Sequence, residues 1–182
     1  MRNIVILAAP LAILASPAWA QSAPVTGTVL IDGSVATRCA FTLDNAVIHL
    51  GELSLQTTGS TAGKLDTSKV NGKTATLSGW CNGGDADISV EAFPLLNPAS
   101  GATGFDKRVD FTATASAGSA SPTDTTLTAG SGSPANVGTL FNGNILVTLS
   151  AASSPTNGIM IAGEYDGSVV VTITPNVVQV VD

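Results

Sequence analysis

The sequence has few of the residues that enzymes use for catalysis. Its 182 residues include one histidine, two cysteines and seven lysines or arginines, and charged residues make up 11% of the chain. A zinc site usually needs four ligands, and His49, Cys39 and Cys81 are the only imidazole and sulfur ligands available. The composition therefore argues against a zinc centre, and we expect no cofactor and no enzymatic activity.

The position of His49 also disfavours a catalytic role. It lies in Val47–Gly51, where Ile48 and Leu50 take the inward positions of a predicted strand. His49 is therefore predicted to face solvent. A Ser-His-acid hydrolase would instead need this histidine to act as a base within reach of a serine.

The acidic residues offer two weaker alternatives. Asp85 and Asp87 follow two glycines, but they lack the sustained ligand spacing of a calcium loop. Two carboxylate pairs can be considered for glycoside chemistry, Glu91 with Asp110 and Glu164 with Asp166. Outward strand positions explain these carboxylates more simply. Sugar-binding modules usually display several aromatic residues, so we expect Trp80 and Tyr165 to pack in the core or in a groove.

The only long apolar run lies at the N-terminus. Arg2 precedes an apolar stretch over residues 4–15, and Ser16–Ala20 supplies an Ala-x-Ala cleavage site. The run is too short and too rich in alanine for a membrane span, and no later stretch is long enough. We expect a signal peptide at 1–20, and a secreted or periplasmic chain of one domain starting at Gln21.

The mature chain has little positive charge. Removing the signal peptide leaves six lysine and arginine residues against thirteen aspartate and glutamate residues, a net charge of −7. An acidic surface argues against nucleic acid and anionic membranes as partners.

The two cysteines are expected to pair. In an oxidising compartment, an even number of cysteines in a secreted domain usually forms disulfides. Bridging Cys39 and Cys81 closes a loop that should stabilise the fold by about 4 kcal/mol in the chain-entropy model.

Period-two alternation, with no convincing helical period, predicts an all-β fold of seven or eight short strands. The predicted elements are strands at 39–43 and 48–50, 74–81, 86–92, 107–113, 145–149, 159–161 and 169–174, with one short edge strand near Leu127. Asn82–Asp85 is predicted to turn the chain into a hairpin, and Pro94 to end its second strand. Arg108, Asp110 and Thr112 are expected to face outward.

The stretch Val25–Val35 forms a further predicted strand directly after the signal peptide. One register holds Val25, Gly27, Val29, Ile31 and Gly33. Glycine weakens a strand unless another backbone approaches closely. The segment is therefore either a strand that inserts into a neighbouring molecule or the ordinary first strand of a sandwich.

The chain resembles the pilus subunits of the chaperone-usher pathway, including relatives with a spore-coat-U-like domain. The resemblance is carried by the signal peptide, by Thr26–Cys39, by Val47–Gly51, by the spacing of the cysteines, and by Ala162–Thr174, which looks like the last strand of the family. An aromatic residue next to the C-terminus, usual in the family, is absent here. Residues 95–139 match nothing specific.

The resemblance implies an immunoglobulin-like β-sandwich at 36–182 that lacks its final strand, preceded by a donor-strand extension at 21–35. Val25, Gly27, Val29, Ile31 and Gly33 would enter the groove of the next subunit. Val169, Val171 and Ile173 would line the acceptor groove, and Cys39 and Cys81 match the family disulfide.

The function implied is that of a structural subunit of a surface pilus, or fimbria, that supports adhesion and biofilm formation. Its partners would be copies of itself or related pilins, a periplasmic chaperone and an outer-membrane usher. The alternative is a secreted lectin-like or adhesin β-sandwich that acts as a binding module.

Overall fold

The structure is a computed structural model that describes residues 24–176. The regular secondary structure of these residues is almost entirely β. The strands are β1 (Cys39–Leu43), β2 (Thr74–Cys81), β3 (Ala86–Leu96), β4 (Phe105–Asp106), β5 (Arg108–Ser116), β6 (Thr123–Thr125), β7 (Ala135–Asn136), β8 (Phe141–Ser153), β9 (Ile159–Met160) and β10 (Asp166–Pro175). A single 3-10 turn covers Thr67–Lys69. Across these residues, no helix has the length and apolar character needed to cross a membrane. The predicted all-β, sandwich-like fold is confirmed.

The main sheet is antiparallel and nearly closed. Its strand order is β1-β2-β8-β5-β3-β10, so β1 and β10 are the two edge strands. The short strand β6 pairs with β5, and β7 pairs with β3. A separate parallel pair joins β4 to β9.

The core is formed by the inward positions of the longer strands. The most buried large side chains are Ile88, Val90, Val109 and Ile145, together with Val70 from the loop after β1. Burial alternates along β3 and along the middle of β8, as the sequence pattern predicts. Alanines at 113, 115, 117 and 120 are also buried, so small residues fill the core at one end of β5.

The predicted hairpin between β2 and β3 is wrong. Both neighbours of β2 are other strands, β1 and β8, while β3 pairs with β5, β7 and β10. The turn at Asn82–Asp85 therefore carries the chain to a distant position in the strand order. Glycine-rich turns predict a change of direction, but they do not specify which strands pair.

The prediction that Asp110 faces outward is also wrong. Val109, Asp110 and Phe111 are all buried, because the register between β5 and β8 shifts between Asp110 and Thr112. The Asp110 carboxylate accepts hydrogen bonds from Arg108 Nε at 2.8 Å and from the Thr126 hydroxyl at 2.7 Å. A local bulge therefore breaks the alternation from which the orientation was predicted.

Two further boundaries differ from prediction. The short strand near Leu127 lies at Thr123–Thr125, and Leu127 itself is exposed. Strand β3 continues through Pro94 to Leu96. The register of β10 against β3 shifts between Asp166 and Ser168, next to Pro94. A bulge is one of the few places where a sheet accepts proline, which has no N–H to donate.

The chain divides after Ser34 into the leading segment and the domain. Residues 24–34 form no strand within the described chain, and their side chains are exposed, with Val25 at 97% and Ile31 at 92%. The predicted signal peptide at 1–20 and the C-terminal residues 177–182 lie outside the described residues.

Candidate functional site

The domain contains an open cleft of about 1170 Å³. Two stretches of chain contribute most of its lining, residues 44–54 and residues 160–169. We call these stretches the first wall and the second wall of the cleft.

The floor of the cleft is part of the hydrophobic core. It is formed by Ala75, Leu77, Leu95, Phe111, Val147 and Leu149. These side chains occupy inward positions of β2, β3, β5 and β8, which are the strands that build the main sheet. Leu95, Phe111, Val147 and Leu149 are nonetheless buried, with 2–8% of their surface exposed, so the cleft reaches down to the core without laying it open. A concave site of this kind is a candidate binding groove or interface.

The first wall is not the strand that its alternation predicts. Residues 45–51 form no strand in the structure, so the prediction of a strand at Ile48–Leu50 is wrong. Ile48 and Leu50 are half-buried against the core, while His49 is exposed, as predicted. No backbone hydrogen bond is found for residues 44–52 within the described chain. The side chains of residues 48–50 alternate between inward and outward directions, but no neighbouring strand pairs with their backbone.

The second wall is fixed by polar contacts from the rest of the domain. Ile161 N–H donates to the Asp106 carbonyl at 3.0 Å, and the Tyr165 hydroxyl lies 3.1 Å from that same carbonyl oxygen and 2.9 Å from the carbonyl of Ile161. The amide of Asn97, itself buried, donates to the carbonyls of Ile161 and Ala162 at 3.4 Å. Burial raises the pKa of Tyr165, which keeps its hydroxyl protonated as a donor.

The Asp106 side chain holds the loop that leads into the second wall. Its carboxylate accepts hydrogen bonds from Gly158 N–H at 2.8 Å and from the Thr156 hydroxyl at 2.8 Å. Burial disfavours the charged carboxylate, but the hydrogen bonds from Gly158 and Thr156 outweigh this effect and hold the pKa of Asp106 below its usual value. No sequence pattern singled out Asn97, Asp106 or their link to Tyr165, because Tyr165 lies 59 residues after Asp106 and 68 residues after Asn97.

The predicted groove residues of β10 occupy different depths. Val169 lines the cleft directly. Val171 is buried in the core, and Ile173 packs against the core farther along the strand, near Gly79. Within the predicted acceptor set, Val169 is therefore the residue that an occupant of this cleft would touch.

The predicted donor residues of the leading segment are all exposed to solvent. Val25, Val29 and Ile31 expose 97%, 84% and 92% of their surface. A Cβ added at Gly27 or Gly33 would meet no atom within 4 Å. The apolar register of this segment is thus available to another molecule.

The charged side chains on the cleft rim are almost all acidic. Asp44 and Glu52 lie on the first wall, and Glu164 and Asp166 lie on the second wall. All four are exposed, and among residues 24–176 no lysine or arginine belongs to the cleft lining.

The other candidate chemistry does not converge on a site. Asp87 accepts a hydrogen bond from the Asn136 amide, and Asp110 forms an ion pair with Arg108. Within residues 24–176, no group of three or more histidine, cysteine, aspartate or glutamate residues is placed to hold a metal ion. Tyr165 packs against the core and lines the cleft, as expected. Trp80 is half-buried on β2 but belongs neither to the core cluster nor to the cleft lining, so its prediction is wrong.

These features define an all-β domain with an open cleft of mixed polar and apolar lining, preceded by an exposed segment that carries several apolar side chains. No protein family model, no curated protein and no solved structure matches the chain.

Proposed function

We propose that this protein is a structural subunit of a secreted surface fibre. The leading segment of one copy fills the cleft of the next copy by donor-strand complementation. The observation that carries the proposal is the cleft itself, because core residues of β3, β5 and β8 lie among its lining. An exposed segment with apolar residues at every second position has the pattern that such a groove requires.

Burial of the donor residues would drive the assembly. Full burial of one valine or isoleucine side chain contributes about 1.5–3 kcal/mol. Val25, Val29 and Ile31 are each at least 84% exposed, so almost all of this gain is available on insertion. Gly27 and Gly33 suit shallow parts of a groove, where a larger side chain would clash.

Backbone groups beside the cleft would set the register. Residues 44–52 make no backbone hydrogen bond within residues 24–176, and β10 is an edge strand. An inserted strand can pair with such free groups, which is the common basis of strand-addition complexes. In an unfilled cleft these backbone groups stay unpaired, and exposed strand edges promote aggregation.

The biological setting of the proposal follows the resemblance to chaperone-usher subunits. A periplasmic chaperone would cover the cleft before assembly, and an outer-membrane usher would receive the subunit. The finished fibre would lie on the cell surface and support adhesion and biofilm formation.

A register test on the leading segment distinguishes this function from an unrelated binding module. Ile31→Asn places an amide in the donor register, and Thr28→Asn places the same amide in the opposite register. We expect Ile31→Asn to abolish fibres in electron microscopy and oligomers on gels run without heating. Thr28→Asn should assemble like the original chain. Normal fibres from Ile31→Asn would overturn the proposed function.

A further inference from the structure

The chain directly before β1 is held on the domain by one asparagine. The side-chain carbonyl of Asn82 accepts a hydrogen bond from Arg38 N–H, and its amide group donates to the Ala36 carbonyl at 3.0 Å. The backbone N–H of Asn82 also donates to the Arg38 carbonyl at 3.0 Å. Residues 36–38 are exposed, so hydrogen bonds rather than burial hold this segment in place. We call residues 36–38 together with Asn82 the exit clamp.

Two neighbouring contacts support the exit clamp. Thr37 packs against the buried Gly83, where an added Cβ would lie 2.5 Å from Thr37 Cγ2. The adjoining residues of the two segments, Cys39 and Cys81, are joined by the disulfide. Hydrogen bonding between the segments therefore continues past the bridge, and the place of Ala36 on the domain is fixed.

The exit clamp leaves only a short joint before it. In the proposed assembly Gly33 is the last residue of the donor register, and only Ser34 and Val35 lie between it and Ala36. Three residue steps span at most about 10 Å when fully extended. A domain of this size has a radius of gyration of about 15 Å. A joint of this length therefore keeps consecutive domains close together and restricts the angle between them.

We propose that Asn82 is a positioning residue for fibre assembly, and that it sets the stiffness of the fibre by keeping the joint between copies short. This inference rests on the proposed function and adds a mechanical property to it. Without the two side-chain hydrogen bonds of Asn82, its backbone still holds Arg38, but residues 34–37 are released. The joint then lengthens from two residues to four, and a longer flexible joint allows a wider range of angles between domains.

Two variants lengthen the joint in different ways. Asn82→Ala releases the exit clamp, and insertion of Gly-Ser between Ser34 and Val35 adds two residues while the clamp stays intact. Both variants leave the donor side chains unchanged, so oligomers on gels run without heating should persist. In electron micrographs of the fibres, the persistence length should fall at least about twofold in both variants.

Asn144→Ala is the matched control. Asn144 is also exposed, and its side chain accepts a hydrogen bond from the Ser78 hydroxyl at 2.8 Å, but it lies on β8 and outside the exit clamp. This variant should form fibres as stiff as those of the original chain. The unfolding midpoints of the Asn82→Ala and Asn144→Ala monomers should be close, so that a difference in fibre stiffness reports on the joint and not on a general loss of stability.

The outcomes separate this inference from the proposed function. Fibres of Asn82→Ala as stiff as those of the original chain would overturn the role of Asn82 and leave the proposed function standing. Equally flexible fibres from Asn144→Ala, or stiff fibres from the insertion variant, would place the control of stiffness outside the joint and also overturn the inference. Absence of fibres from the original chain would overturn the proposed function together with the inference.

Discussion

Cys39 and Cys81 lie directly opposite each other on β1 and β2 and are joined by a disulfide. This confirms the pairing expected from the sequence. The bridge matters because β1 is an edge strand that pairs with β2 alone among the described strands, and the disulfide adds a covalent link to that pairing. It also anchors the chain directly before the first wall of the cleft.

Replacing both cysteines, Cys39→Ser with Cys81→Ser, should lower the free energy of unfolding by about 4 kcal/mol, because the bridge closes a loop of 42 residues. Denaturant unfolding of the oxidised chain, the reduced chain and the double variant measures the loss. The reduced chain and the variant should behave alike. Coincident curves for the oxidised and reduced chains would contradict this prediction.

Asp106→Asn should destabilise the domain by about 1–3 kcal/mol at neutral pH, because it removes a buried carboxylate that accepts several hydrogen bonds. The folded-state pKa of Asp106 lies below its usual value of 3.8. Its stabilising contribution is therefore present above about pH 4 and is lost as the pH falls through the folded pKa.

The difference between Asp106→Asn and the original chain should consequently shrink in acid. Unfolding curves recorded across this pH range test the expectation. Asp32→Asn, a change at an exposed carboxylate, is the matched control and should alter stability little at any pH. A constant difference between the Asp106 variant and the original chain would count against the assigned role of Asp106.

Gly167→Ala should disturb the start of β10, beside the cleft. A Cβ at this position would lie 2.9 Å from the carbonyl oxygens of both Phe93 and Pro94. These are backbone atoms of β3, so relief requires the strands to shift, and we expect a loss of about 1–3 kcal/mol. Gly101→Ala is the control, since a Cβ there would meet open space. Similar melting temperatures for the two variants would contradict this prediction, because they would show that the backbone at the bulge shifts at little cost in stability.

Gly27→Leu and Gly33→Leu should affect assembly without affecting the fold. Neither added side chain meets an atom within 4 Å of its Cβ, so each monomer should unfold like the original chain. If these glycines face shallow parts of a neighbour's cleft, leucine overpacks it at a cost of about 1–3 kcal/mol per site. At least one variant should then fail to form fibres in electron microscopy. Normal fibres from both variants would show that these glycines do not face a neighbour's cleft.

The sequence predicted the strands where alternation is regular. Strand β2 has the predicted bounds, and the inward residues Ile88, Val109 and Ile145 are buried as expected. Alternation depends only on neighbouring residues, so it is insensitive to which strands pair. The β2–β3 hairpin was wrong for that reason, because pairing is decided by contacts between strands that are distant in sequence.

The candidate site could be predicted only in part. Val169, which was expected in an acceptor groove, lines the cleft, while residues 48–50 were expected to be a strand and have no paired neighbour. The network around Asp106 had no signal in the sequence. Its hydrogen bonds to residues 156–158 and to Tyr165 join segments about fifty residues or more apart, and no local pattern records such contacts.

The central claim is that the leading segment of one copy occupies the cleft of another. A photoreactive side chain at Val29, in chains mixed from two isotopic labels, tests it most directly. Mass spectrometry of the cross-linked material identifies both partners. We predict cross-links that join differently labelled copies and fall on residues 44–54 and 160–169 or on the cleft floor. Cross-links confined to one copy, or to surfaces outside the cleft, would contradict the account.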